Sequence, residues 1–360
     1  MRILLVSNMY PSSKNPTYGI FVKNFERNLL NTNLKIVNKA VIKGRGKNLV
    51  DKFFKYIYFI FNVLHKGMTC KYDAIYVHYV NHTAIPILIL KFFKPQIKLI
   101  LNAHGGDIYC STSFTKFISS LSKKMMSFSD LIVCPSNYFR DVIHHKFGIR
   151  NEKIYVSPSA GVNLNLFKEL DVNRNSSFII GFVSRIDKDK GWDDFIKAIS
   201  LIKKNEIEQD IKAIIIGDGE EREKMKKLIE CKELQDTINY LGLLPQSELP
   251  FYLNIMDLFV FPSKRKAESL GLVALEAMAC GTPIIGSNIA GIRDYLKDNK
   301  NGFFFNSGNY KQLKEMVLKY INLTDDQKIL MKEKALETAK EYEEKNVAQR
   351  LGEYLISYFN

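Results

Sequence analysis

Short runs of Val, Ile and Leu alternate along this chain with longer stretches in which apolar residues recur every three or four positions. Ile3–Ser7, Leu34–Ile42, Ala74–His78, Lys98–Ala103, Leu131–Pro135 and Ile154–Ser157 read as strands of a first half. Phe178–Ser184, Ile211–Gly217, Thr237–Leu241, Leu258–Pro262 and Pro283–Gly286 read as strands of a second. Most are continuous rather than alternating, as strands covered on both faces of a parallel sheet must be. Strand then helix, repeated, implies βαβ units, and the series runs twice. The expected fold class is α/β, with two doubly wound, Rossmann-like domains. The polar stretch Lys168–Ser177 reads as their linker. That places the first domain at 1–167, the second at 168–340 and a terminal helix at 341–360, whose end, Leu351–Phe359, is rich in apolar residues.

The length of 360 residues suits two domains, and 46% hydrophobic with 25% charged residues supplies ample core. No apolar stretch reaches a membrane-spanning length: Lys55 breaks Phe53–Leu64, and Lys91, Lys94, Pro95 and Lys98 break Ile85–Leu101. Met1–Val6 is too short for a signal sequence and reads as the first strand. Five cysteines (70, 110, 134, 231 and 280) are odd in number and form no CxxC pair. That suits a reducing, cytoplasmic setting and speaks against a disulfide framework or a zinc site.

Charge is unevenly spread. Residues 1–170 hold 24 Lys/Arg against 8 Asp/Glu, a net of +16, whereas residues 171–360 hold 28 against 30, a net of −2. A basic first half points to an anionic partner, nucleic acid or membrane. No recognition-helix or aromatic-strand motif for specific nucleic acid is present. Asn48–Lys66 reads as an amphipathic helix, with Lys52, Lys55, Phe59, Asn62 and Lys66 on a mostly polar stripe. Leu49, Phe53, Ile57, Ile60 and Leu64 lie opposite, with Phe54, Tyr58 and Phe61. Two readings stay open: a helix lying on anionic lipid, or an ordinary helix packed on the first sheet.

The most informative segment runs from Lys264 to Gly286. Glu268 and Glu276 stand eight apart around a Ser-Leu-Gly turn opening a helix that is apolar almost all round. Burying Glu276 on such a helix is costly unless something satisfies it. Beside Glu268, the amides of Ser269, Leu270 and Gly271 sit where a helix N-terminus can hold an anion. A polyhydroxylated ligand carrying phosphate fits both halves; an acidic helix cap is the plainer alternative. In the second domain, Gly181-Phe-Val-Ser-Arg-Ile-Asp-Lys-Asp-Lys-Gly-Trp192 places Arg185 and Lys190 five apart on the loop after a strand. A guanidinium fork and a mobile ammonium there can neutralise a diphosphate.

Together these segments resemble the donor-binding signature of the retaining family-4 glycosyltransferases. The resemblance implies a GT-B fold, its two domains facing a central cleft and its C-terminal helix crossing back to the first. It implies donor-sugar contacts at Glu268, ribose contacts at Glu276 and pyrophosphate contacts at Arg185 and Lys190. Ile214-Ile-Ile-Gly-Asp-Gly-Glu220 resembles the family's glycine turn, where Gly217 and Gly219 allow backbone to approach a nucleotide. Asn102-Ala-His-Gly-Gly-Asp107 resembles its H-G-x-D turn, which puts His104 near the reacting carbon with Asp107 behind it. Tyr18-Gly-Ile-Phe-Val22 resembles the phosphate or acceptor loop, with one glycine, Gly19, where two adjacent ones are frequent. Ser159–Phe167 resembles the stretch before the linker. Arg293 and Asp294 depart from the family's Pro and Glu, and Asp294 reads as structural. Asp187-Lys-Asp189 imitates a metal motif inside the phosphate loop, but the family generally needs no metal, so no cofactor is expected.

The implied activity is transfer of a sugar, with retention, from a nucleotide-sugar donor to a lipid-linked or glycan acceptor of a bacterial surface polysaccharide. The expected setting is the inner face of the plasma membrane, approached through the basic first half. The alternative is a non-catalytic GT-B module that holds a nucleotide or a partner.

Overall fold

Both series of βαβ units form, each as its own parallel sheet. The structure is a computed structural model and describes all residues except 17, 31, 110–112, 159, 174–175, 205–208 and 360, with 113–118 described in backbone only. Cys110, Ser159 and part of the expected linker therefore lie outside the described residues. The chain divides into two compact units, residues 1–161 with 344–360, and residues 162–343.

The first unit holds strands β1 (Arg2–Tyr10), β2 (Lys35–Lys43), β3 (Ala74–His78), β4 (Lys98–Asn102), β5 (Leu131–Cys134) and β6 (Ile154–Val156). They pair in the order β2-β1-β3-β4-β5-β6, every pairing parallel. Its helices are α1 (Ile20–Leu29), α2 (Leu49–Thr69), α3 (Val80–Phe93), α4 (Gly105–Ile108), α5 (Ser113–Ser127) and α6 (Asn137–Phe147). Successive strand residues point to opposite faces. Leu4 and Val6 thus join Phe59, Val63 and Ile87 in one layer, while Ile3 and Leu5 join Val22, Phe25 and Leu29 in the other.

The second unit holds β7 (Phe178–Val183), β8 (Ile211–Ile216), β9 (Ile238–Gly242), β10 (Leu258–Phe261), β11 (Ile284–Ser287) and β12 (Gly302–Phe305). Its order is β12-β11-β10-β7-β8-β9, again parallel. Its helices are α7 (Trp192–Lys203), α8 (Arg222–Cys231), α9 (Leu249–Ile255), α10 (Leu272–Ala279), α11 (Tyr310–Ile321) and α12 (Asp325–Glu341). Strand β12 is absent from the sequence reading, because four residues after a polar turn carry too little pattern.

The terminal helix α13 (Glu344–Phe359) belongs to the first unit, where Leu351 and Leu355 are buried with Val22 and Leu29. Glu344 accepts from Arg27 at 2.9 Å, which anchors the start of α13 to α1. The chain leaves the first unit earlier than composition suggests. Val162 and Phe167 are buried in the second core, and the Val162 amide donates to the Tyr342 carbonyl. Asn254 accepts from the Leu170 amide and donates to the Lys168 carbonyl. The start of the polar stretch, Lys168 to Leu170, is thereby tied to the second unit.

Helix α2 corrects one expectation and packs on the first sheet. Its buried residues are Phe59, Val63 and Gly67, so Phe59 lies on the core face and not on the polar stripe. Leu49, Phe53, Phe54, Tyr58 and Phe61 are each more than 60% exposed. The helix packs on the sheet along one edge and bares aromatic side chains along another. Lys55 donates to the carbonyls of Lys43 and Arg45, and Lys66 to that of Lys39, so both lysines close the outer edge of β2. Among the described residues, no helix is long and apolar enough to cross a membrane.

Candidate functional site

In an open α/β sheet, ligands bind beyond the carboxyl ends of the strands, at the point where the strand order reverses. In the second unit β7 lies between β10 and β8, so that point falls at the ends of β7 and β10. Arg185 and Lys190 follow β7, Gly217 follows β8, and Glu268 follows β10. Residues spread over more than 80 positions of sequence thus reach one sheet edge.

Tight backbone contacts hold these loops together. The Lys264 amide donates to the Asp189 carbonyl at 2.8 Å, and the Ile186 amide to the Asp218 carbonyl at 3.0 Å. Gly191 caps α7 with φ +79°, and a Cβ there would lie 1.9 Å from the Pro262 carbonyl oxygen. Gly217, at φ +134°, has the Ser184 carbonyl oxygen 1.8 Å from where its Cβ would be. A Cβ at Gly219 would meet the Ile186 carbonyl oxygen at 2.4 Å. In this structure, the need for glycine at 217 and 219 arises from the packing of one loop on another.

Lys190 donates to Glu268 at 2.8 Å, with 11% and 14% of the two side chains exposed. The same Glu268 oxygen accepts from the Ser263 hydroxyl at 2.9 Å. Arg185 is more open, two-thirds exposed, and pairs with Asp187. Lys188 is exposed. Lys264 pins the start of α7 through Asp193 at 2.8 Å and Asp194 at 3.0 Å. Ser263 and Lys264 were not singled out from sequence; their contacts cross from one loop to the other and leave no local pattern.

Helix α10 starts at Leu272, with Gly271 as its cap at φ +72°. The free amides of its first turn therefore begin at Leu272 and Val273, and Ser269 and Leu270 precede the cap, which corrects the expectation that the Ser269–Gly271 amides form the helix N-terminus. Leu270 is buried in the core, and a Cβ at Gly291 would lie 1.9 Å from the Ser269 carbonyl oxygen. The turn is held by its own apolar residue on one side and by the segment ending at Asp294 on the other. Glu276 lies in the second turn of α10. Part of its side chain reaches solvent, yet burial pushes its carboxyl up to about 7, opposed by a hydrogen bond from Gln246 at 3.5 Å.

In the first unit, the order reverses between β1 and β3. Gly19 caps α1 at φ +71°, and a Cβ there would lie 2.6 Å from the Met9 carbonyl carbon. His104 caps α4 in a reciprocal capping box with Asp107, whose carboxylate accepts from the His104 amide at 2.8 Å and the Val80 amide at 3.0 Å. Burial pushes Asp107 up to about 7 against these bonds, and pushes His104 down to about 4. His78, not singled out from sequence, lies 3.0 Å from His104. The first unit thus joins His104 to Asp107, and the second joins Lys190 to Glu268.

Comparison with known proteins identifies the family and the fold. Residues 167–338 match the family described as Glycosyl transferases group 1, and residues 22–165 match Glycosyltransferase Family 4. The two matches cover most of the chain, which belongs to the family-4 glycosyltransferases. A 2-deoxystreptamine N-acetyl-D-glucosaminyltransferase of Streptomyces fradiae is 35% identical over 32% of this chain and 27% of its own length. The capsular polysaccharide biosynthesis glycosyltransferase CapM of Staphylococcus aureus is 28% identical over 65% of this chain and 63% of its own. The chain thus spans less than two thirds of the length of either relative. The Anabaena protein HepE, solved in complex with UDP, superposes with a TM-score of 0.78 at 19% identity, covering 99% of this chain and 100% of its own, and places the fold in the GT-B class.

Proposed function

We propose that this protein is a retaining glycosyltransferase that takes a nucleotide-sugar donor and extends a lipid-linked acceptor of a bacterial surface polysaccharide. One observation carries the reading: Arg185, Lys190, Glu268 and the first turn of α10 meet at the carboxyl ends of β7 and β10. In this reading Arg185, Lys190 and the α10 amides hold the diphosphate, which leaves with its charge already matched. Glu268 takes sugar hydroxyls and Glu276 the ribose. The capsule activity named for CapM and the UDP bound to HepE support a glycan product and a nucleotide donor.

The diphosphate has cations and helix amides on hand, so the reaction proceeds without a metal, and transfer survives excess EDTA. Charge supports a peripheral position on an anionic inner leaflet. Residues 35–71 hold nine Lys/Arg and one Asp, around a helix baring Leu49, Phe53, Phe54, Tyr58 and Phe61.

The test is a panel of UDP-, GDP- and dTDP-sugars offered with lipid-linked acceptors, with the anomeric configuration of the product read by NMR. An inverted product removes the retaining mechanism. If acceptor never promotes nucleotide release from any donor that binds, the chain is a non-catalytic binding module.

A further inference from the structure

His78 ends β3 and His104 follows β4, and the pairing of these strands sets His78 beside Asn102. Their rings stack at 5.3 Å and 26°, with His78 Nδ1 3.0 Å from His104 Nε2. The pair is walled by aromatic rings. Phe25 meets His78 edge-on at 4.6 Å, Phe21 lies 4.9 Å from His104, and Tyr79 stacks on His104 at 4.9 Å and 21°. His78 is 1% exposed.

The protons can be placed by elimination. In the capping box, the Asp107 amide, which donates to the His104 carbonyl at 2.8 Å, also faces the His104 ring nitrogen turned away from His78, and an N–H directed there leaves that nitrogen, Nδ1, without a proton. A neutral His104 then carries its proton on Nε2 and donates it to His78 Nδ1. His78 in turn must carry its proton on Nε2, an atom with no hydrogen-bond partner among the described residues. That unpaired donor in an aromatic wall marks a histidine kept for what its other nitrogen does. Burial holds both rings neutral: His104 falls to about 4, and His78 is lowered well below the usual range by burial and then by His104. The other titratable groups around the pair are Tyr76 and Tyr79 from the end of β3 and Asp107 from α4; α1 faces it with Phe21 and Phe25.

We infer that His78 is a positioning residue for His104: its bare Nδ1 accepts the His104 Nε2 proton and so holds the plane of the ring. Both His104 nitrogens are then committed inside the first unit, and the ring serves as a neutral, rigid support for the turn 104–107 and not as a general base. Only the link from this geometry to turnover rests on the glycosyltransferase reading; the tautomer stands independently of it.

Full-length protein labelled with ring-¹⁵N histidine, followed between pH 5 and 8, tests this. His104 and His78 should both show protonated Nε2 and bare Nδ1, and neither should titrate. In His78→Phe, the His104 Nε2 proton loses its acceptor, so its hydrogen-bonded ring N–H signal should move upfield or be lost to exchange, and kcat should fall roughly ten- to a hundredfold with donor KM little changed. His78→Asn offers an amide oxygen in place of Nδ1, and should restore both that signal and most of kcat. A wild-type His104 that is protonated on Nδ1, or that titrates in this window, overturns the inference. So does a His78→Phe protein in which the His104 ring N–H signal and kcat both match wild type. Should that variant fail to fold, the wild-type and His78→Asn spectra still decide. If no donor is turned over, the proposed function fails while the spectra judge the positioning role.

Discussion

Lys190 and Glu268, 78 residues apart, form a hydrogen-bonded ion pair at 2.8 Å, joining the loop after β7 to the loop after β10. The residue assigned to the diphosphate and the one assigned to sugar hydroxyls thus hold each other in place before a donor arrives. Lys190→Ala removes a charge-assisted contact and leaves Glu268 relying on Ser263. Free nucleoside diphosphate binding should weaken by about 1.5–3 kcal/mol, as measured calorimetrically. Glu268→Gln should leave that affinity within a few-fold of wild type while impairing transfer. Unchanged affinity in Lys190→Ala removes its phosphate role.

Glu276 predicts a pH dependence of stability. An unfolded Glu titrates near 4.3, whereas burial raises Glu276 to about 7. Between those values the native state keeps a proton that the unfolded state has lost, so stability falls as pH rises through this window. Asp107, also raised to about 7, acts in the same direction in the first unit. Urea unfolding of Glu276→Gln should show a shallower slope between pH 5 and 8. At pH 8 it should match or exceed wild type by on the order of 1–2 kcal/mol, a figure discounted for the part of the side chain that reaches solvent. The ribose role adds the opposite outcome for ligand, since Glu276→Gln should weaken free nucleotide as well as sugar nucleotide.

Two glycines of the second unit separate strain from collision. Gly242 has φ +72° with nothing within 4 Å of its missing Cβ, so Gly242→Ala should cost only the backbone term, about 1–2 kcal/mol. Gly217→Ala adds a collision with the Ser184 carbonyl and should cost more than Gly242→Ala. Because Ser184 directly precedes Arg185, it should also weaken nucleotide binding, whereas Gly242→Ala should not. Thermal melts and calorimetry on both variants check this, and equal destabilisation would contradict it.

Vesicle binding should require anionic lipid and decline steeply with salt, since near-surface lysines each contribute about 1 kcal/mol within a Debye length of about 8 Å. Phe53→Ser with Phe54→Ser changes two exposed side chains of α2, and should lower co-sedimentation without lowering the melting temperature. This pair is a cleaner probe than Lys55 and Lys66, whose ammonium groups also close the β2 edge. Full binding by the double variant moves the contact off α2, and no binding by wild type ends the membrane reading.

The doubly wound α/β class, eleven of the twelve strands among the described residues and the positions of Arg185, Lys190, Glu268 and Glu276 can all be read along the chain. Continuous apolar runs, glycines at turns and charges at fixed spacing are local signals, set by residues a few positions apart. What the sequence left open depends on register and packing between distant segments. Helical spacing puts Phe59 on a polar stripe because it cannot tell which edge of a helix with aromatic residues on several sides meets the sheet; contact with Val63, Ile87 and their layer puts it in the core. The boundary at 161/162 follows from Val162 and Phe167 entering the second core, which the polar composition of the following residues conceals. Gly217 reads from sequence as a tight bend that lets backbone approach a nucleotide, and the structure adds that the Ser184 carbonyl fills the space a Cβ would take. His78 carried no sequence signal at all, because its significance is a 3.0 Å approach to a residue 26 positions away. Which elements form, and which charges stand at their ends, follows from residues close along the chain; which of those groups meet follows from strand order and register, which bring together residues that no local spacing relates.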